Sequence, residues 1–204
     1  MRNILLTIAL ICAVGVVSGQ MHPTAQACGD PEQWTEQMYE AYTYRNYTDY
    51  AAFSEPVKLG EVDAGLLEAA LFYETNRQRA AHQLPELRYD RDLNVCAHNY
   101  SVSMVENDFF AHESPIAGEE TMVERLAAVG YPNSSCAENL ALCAMKATYA
   151  ETARYIVEEK WMKSKGHRAN ILRKGLTHLG CGAAFYADGR VVYVKATQNF
   201  LKKL

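Results

Sequence analysis

The sequence predicts an α+β fold, with helices packed on an antiparallel sheet. Three observations carry this. Apolar residues recur at helical spacing in several segments between Val62 and Lys163. Two strand-like stretches follow, over 179–185 and 191–197, and Asp188-Gly189 between them is a hairpin turn signal. Helices first and a β-hairpin last is the order expected when helices cover an antiparallel sheet.

The elements follow in order. Arg2 precedes an apolar run over 4–17, broken only by Thr7, and small residues including Ser18 and Gly19 come next. This is the pattern of a secretory signal peptide over 1–19. Its run of about 14 residues falls short of the roughly 20 that a membrane-spanning helix needs. Cleavage after Ala27 is the alternative; it would make Cys28 the first residue and allow a lipoprotein anchor. The expectation is a secreted, extracellular protein with no transmembrane segment once the leader is removed. Residues 20–60 form a Tyr-rich extension, in which Trp34, Met38 and Tyr42 suit one helix face. The reading is an arm that packs on the domain. Residues 61–204 form that domain, long enough to bury its own core.

Leu66, Leu67, Ala70 and Leu71 share one face of a helix running from about 62 to 81. Leu84 to Leu87 is a loop, and Asp90 is an N-cap for a second helix. Leu93, Ala97, Tyr100 and Met104 form the buried stripe of that helix, which should end near 108–111. Met122, Leu126 and Val129 mark a short third helix, stopped by Gly130 and Pro132. A fourth, from about 148 to 163, buries Ala153, Val157 and Trp161.

The net charge of −4, with no basic patch of the kind that grips a phosphate backbone, excludes nucleic acid as a partner. No internal repeat is visible. Six cysteines occur, and Cys12 leaves with the leader. Secretion makes disulfides the expectation. Cys136 and Cys143 are close enough in sequence to close a small loop. Cys96 and Cys181 are partners if a helix packs on a strand there. Cys28 is left free, lipidated or paired between chains. Three N-x-S/T triplets, at Asn46, Asn99 and Asn133, are glycosylation acceptors only in a eukaryote.

Three residues carry the candidate chemistry. His112 ends the run Phe109-Phe110-Ala111-His112. Glu138 lies in Ala137-Glu138-Asn139-Leu140, within the expected Cys136–Cys143 loop. His167 follows Gly166, which leaves open space beside the imidazole. Two histidines and a carboxylate far apart in sequence can converge as a metal site or an acid–base cluster. Asn139 reads as a structural residue bonding backbone, and Asn170 as holding the turn after His167.

Taken together these motifs resemble the CAP superfamily, which groups cysteine-rich secretory, antigen 5 and pathogenesis-related proteins. The resemblance covers about 62–200. It includes Asn76-Arg77-Gln78-Arg79, Leu84-Pro85-Glu86-Leu87 with Tyr89-Asp90-Arg91-Asp92-Leu93, and the two histidine motifs. Trp161-Met162-Lys163-Ser164-Lys165-Gly166-His167-Arg168-Ala169-Asn170-Ile171-Leu172 is similar to bacterial-type members. Leu179-Gly180-Cys181-Gly182 completes the order. The resemblance implies an α-β-α sandwich with a cleft lined by two histidines and two acids. His112, Glu138 and His167 match three positions. Ser164 stands three residues after Trp161, where animal and plant members place a Glu.

The resemblance implies a binding module whose cleft holds zinc or another divalent cation on His112 and His167, or a small polar ligand. Its partner is an unknown extracellular ligand, lipid or protein. No H-E-x-x-H and no G-x-S-x-G occurs, which weighs against an enzyme. A metal-dependent hydrolase using the same cleft is the second reading. A lipid- or sterol-binding effector or defence-type protein is the third.

Overall fold

The computed structural model describes residues 34–58, 60–132 and 134–203. The expected leader and Cys28 lie outside the described residues. Six α-helices, a π-helix and four strands form three layers. The helices are α1 (Met38–Ala41), α2 (Ala64–Ala81), α3 (Arg91–Glu106), α4 (Met122–Ala128), α5 (Tyr149–Arg154) and α6 (Lys165–Ile171). The strands are β1 (Arg88–Tyr89), β2 (Cys136–Ala144), β3 (His178–Asp188) and β4 (Val191–Leu201). A π-helical stretch, Tyr155–Trp161, continues α5. The sheet order is β1-β3-β4-β2, with β1 parallel to β3 and the other pairings antiparallel.

Helix starts follow from their caps. Asp63 accepts from Leu66 N (3.2 Å) at α2, and Asp90 from Leu93 N (2.9 Å) at α3. Thr121 and Glu124 cap α4 reciprocally. Gly189 turns the hairpin at φ +59°, a backbone conformation that side chains resist.

Alternation along β3 divides the core. Gly180 and Gly182 face α3, and a Cβ on either would run into the backbone of Leu93 or Ala97. Leu179, Cys181 and Ala183 point the other way, into one cluster with α2, α5 and the π-helix. The arm over 34–58 joins that side, as expected. Trp34 packs on Phe53 (ring centroids 4.9 Å) and Tyr73, Tyr39 stacks on Tyr89, and Tyr47 donates to Glu74 (2.6 Å). Its helical parts are the single turn α1 and two 3-10 turns, Tyr47–Asp49 and Ala51–Phe53.

Two expectations need correction. The segment with Glu138 is a strand, not a loop. On β2, Cys136 and Cys143 are seven residues apart, about 23 Å at the rise of an extended chain, against a limit of about 7 Å between bridged Cα atoms. They also point to opposite faces. Cys96 on α3 and Cys181 are separated by the sheet, because Cys181 faces α2. All four described cysteines are thiols.

Side chains bond part of the backbone on both sides of the sheet. Along β2, the carbonyls of Cys136, Glu138 and Leu140 accept from Arg173 Nη1 (3.2 Å), Asn170 Nδ2 (3.1 Å) and Trp161 Nε1 (2.9 Å). Along β3, beyond the short β1, the amides of Cys181 and Ala183 donate to Asn94 Oδ1 (3.3 Å) and Glu68 Oε1 (3.1 Å). Backbone groups bonded in this way are withdrawn from pairing with another chain.

Candidate functional site

The structure brings Glu138, His112 and His167 to the β2 edge. Glu138 is buried on β2, on the face that α3 covers. His112 lies in the long connection after α3, which is fastened to the fold at several points. Lys195 Nζ donates to Phe109 O (2.9 Å), Tyr100 Oη to Ala111 O (2.6 Å) and Arg125 Nη2 to His112 O (3.3 Å). His167 sits on α6, whose backbone is held by Asn139. That amide donates to His167 O (3.2 Å) and accepts from Asn170 Nδ2 (2.9 Å). Asn139 thus serves the backbone, as the sequence suggested, whereas Asn170 ties α6 to Glu138 O on β2 (3.1 Å) and does not hold the turn after His167.

Each oxygen of Glu138 is engaged. His112 Nδ1 lies 2.8 Å from Oε1, and Arg125 Nη2 lies 2.8 Å from Oε2. Arg125 and Glu138 have side chains only 4 % and 3 % exposed, so this is a desolvated ion pair. Arg125 also lies 3.4 Å from the centre of the Tyr100 ring. The His112 side chain is 58 % exposed. Its hydrogen bond to Glu138 raises its pKa above the usual imidazole value of 6.5. His167 moves the other way: burial lowers its pKa, and the neighbouring His112 lowers it further. Its Nδ1 is buried without a hydrogen-bond partner among the described residues.

Ser164, at the fourth position, is half-buried just before α6. Neither nearby acid replaces it. Glu158 binds Arg77 (2.8 Å) and Glu159 binds Lys163. Trp161 is fully buried, a core residue.

The donor set does not fit a resident zinc or other divalent cation. A ligating histidine donates its second ring N–H to an acceptor that fixes its tautomer. His112 has such an acceptor in Glu138; His167 Nδ1 has none among the described residues. The carboxylate is consumed by His112 and Arg125. Among the described residues, no group of three or more His, Cys, Asp or Glu is placed to hold a metal ion.

Sequence reasoning passed over Arg125. The available signal was a charged residue between Val123 and Leu126, inside an amphipathic turn too short to have a spare polar face. It also passed over α6, which Gly166 disguised.

A helix–sheet–helix sandwich that gathers a histidine from the loop after α3, a glutamate from an edge strand and a histidine from a late short helix defines the class of CAP, or SCP-like, domains. The family model for the cysteine-rich secretory protein family matches residues 72–200, and the chain belongs to that family. It is 30% identical over 129 residues to an uncharacterized protein, YkwD, of Bacillus subtilis, covering 63% of this chain and 44% of that one. It is 32% identical over 129 residues to an uncharacterized membrane protein, YlbC, of the same organism, covering 63% and 32%. The chain thus spans less than half the length of these relatives. Among solved structures, an extracellular protein containing an SCP domain from Bacillus anthracis matches with TM-score 0.55 and 29% identity, over 69% of this chain and 41% of that one. A cysteine-rich secretory protein from Staphylococcus aureus matches in fold with TM-score 0.50 and 19% identity, over 72% and 40%.

Proposed function

We propose that this chain is a secreted, non-enzymatic binding module whose cleft at His112, Glu138 and His167 takes a small polar ligand without a resident metal. One observation carries the reading: Glu138 is fully engaged by His112 and Arg125, so it positions an imidazole and is not free to ligate or to act as a base. Secretion is supported by the leader-like N-terminus and by the extracellular Bacillus anthracis relative. None of the described helices is long and apolar enough to cross a membrane.

The test is zinc calorimetry of the protein beside a His112→Ala/His167→Ala variant. The expected result is no binding heat from either. Saturable zinc binding that disappears in the variant would overturn the metal-free reading. The opposite pKa shifts of the two histidines favour a second reading, a hydrolase, because such a split is how acid and base are told apart. Zinc-stimulated ester hydrolysis lost in the same variant would establish it.

A further inference from the structure

The outward side of β2, the last strand in the sheet order, is covered along only part of its length. Met145 N, just past the strand, donates to Val192 O (2.8 Å), so the odd-numbered residues turn to β4 and the even-numbered ones turn outward. The outward carbonyls of Cys136, Glu138 and Leu140 meet Arg173, Asn170 and Trp161. Beyond Trp161 the cover stops. Among the described residues, none bonds the backbone N–H or C=O of Leu142 or Ala144. Their groups repeat every second residue, about 6.6 Å apart, which is the spacing of another extended main chain.

The two faces beside this open stretch differ. On the α3 face Leu142 is half-buried opposite Lys195, whose ammonium holds Phe109 O (2.9 Å), and the next residue, Phe110, is 43 % exposed. On the other face lies Cys143, with two lysines near it. Lys146 Nζ is 3.9 Å and Lys160 Nζ 5.6 Å from the centre of the Tyr155 ring, and neither forms an ion pair among the described residues. Burial raises the Cys143 thiol pKa, and the charges that act on it are those of Lys160 and Lys146, with no carboxylate among them. Glu151 lines the hollow beside Lys146 without an ion pair, while Glu158 and Glu159 are bound to Arg77 and Lys163. Two copies joined through this edge would bring four ammonium groups together, which disfavours self-pairing.

We infer that β2 takes an extended peptide of a partner protein as a further strand at Leu142 and Ala144, its apolar side chains on the face of Leu142 and Phe110 and its acidic ones, alternating with them, toward Lys146 and Lys160. Main-chain bonds hold the peptide, and the pleat sorts its side chains. The surface goes beyond the cleft reading and does not depend on the cleft histidines.

The test is fluorescence anisotropy of the full chain with a labelled Glu-Val-Glu-Val-Glu peptide, beside amide hydrogen exchange. Saturable binding should slow exchange at the Leu142 and Ala144 amides. A fully N-methylated peptide should not bind, which tests the main-chain bonds without altering the fold. Ala144→Pro removes an outward N–H where an edge strand tolerates proline, and should weaken binding about tenfold or more. Lys146→Glu/Lys160→Glu, altered only at exposed positions, should weaken it about tenfold. The His112→Ala/His167→Ala variant should bind as the unaltered protein does. No saturable binding, unchanged exchange at Leu142 and Ala144 in the bound state, or equal affinity for a Lys-Val-Lys-Val-Lys peptide would overturn the inference. So would a dimer in sedimentation that protects these two amides without peptide, which would assign the edge to a second copy. Zinc binding in the calorimeter overturns the earlier reading whatever the peptide does.

Discussion

The two edges of the sheet carry the same pair of residues in different settings. At the β2 edge, His112 Nδ1 meets Glu138 at 2.8 Å; at the β3 edge, His98 Nδ1 meets Glu68 at 2.7 Å. Both carboxylates are buried, and both histidines have pKa values raised first by that hydrogen bond. The second partners differ. Glu68 takes two amides, Asn94 Nδ2 (3.0 Å) and Ala183 N (3.1 Å), and so ties α2, α3 and β3 together. Glu138 takes a buried guanidinium, and its histidine is 58 % exposed against 36 % for His98. A His–Glu pair is therefore not in itself a site. Neutral partners make one pair a clasp, whereas a cationic partner and an open imidazole make the other a cleft.

The largest expected effect breaks the β2 side. Arg125→Met leaves a buried carboxylate without its cation and should cost about 3–5 kcal/mol in urea unfolding, while adding Glu138→Gln should restore much of that. A loss under about 1 kcal/mol would mean that solvent reaches Glu138. Next comes the clasp. Glu68→Ala strands three donors and should cost about 3 kcal/mol by the same measurement. A loss confined to the His98 titration would demote Glu68 from its linking role. Trp161→Phe removes the donor that bonds Leu140 O and should lower stability by about 1–2 kcal/mol in the same urea unfolding.

The smallest effects distinguish the two pairs by pH. His98 and His112 have folded pKa values above 6.5, so each adds stability that is complete below about pH 6.5 and fades as pH rises through the folded value. His167 has the opposite sign: its contribution is present above about pH 6.5 and is lost as pH falls through its lowered value. NMR titration should place His98 and His112 above the ordinary imidazole value and His167 below it. Unfolding midpoints across this range should change less for His112→Gln than for His98→Gln, because His112 faces solvent. Equal changes would erase the distinction between cleft and clasp.

The helices with clear caps were legible in the sequence. Asp90 opens α3 as its position suggested, and Asp188-Gly189 turns the hairpin. The strand β2 was not legible, because both its faces are covered. Cys-Ala-Glu-Asn-Leu-Ala-Leu-Cys-Ala shows neither polar–apolar alternation nor β-branched residues. Its two cysteines then suggested a loop, and that error produced the false disulfide. His112, Glu138 and His167 were found through motif order, not spacing. Arg125 went unnoticed because its role exists only across four elements: α3 through Tyr100, the His112 loop, α4 and β2.

Gly180 and Gly182 give α3 its seat on β3, since a methyl group at either would collide with the helix backbone. The helix that rests there carries His98 directly and leads straight into the loop that carries His112. The width of the cleft is therefore set from beneath, by two absent methyl groups on the strand farther from Glu138. Replacing either glycine would lift the platform that holds His112 opposite its carboxylate, so the His112–Glu138 geometry at one edge of the sheet is inherited from the thinness of the strand near the other.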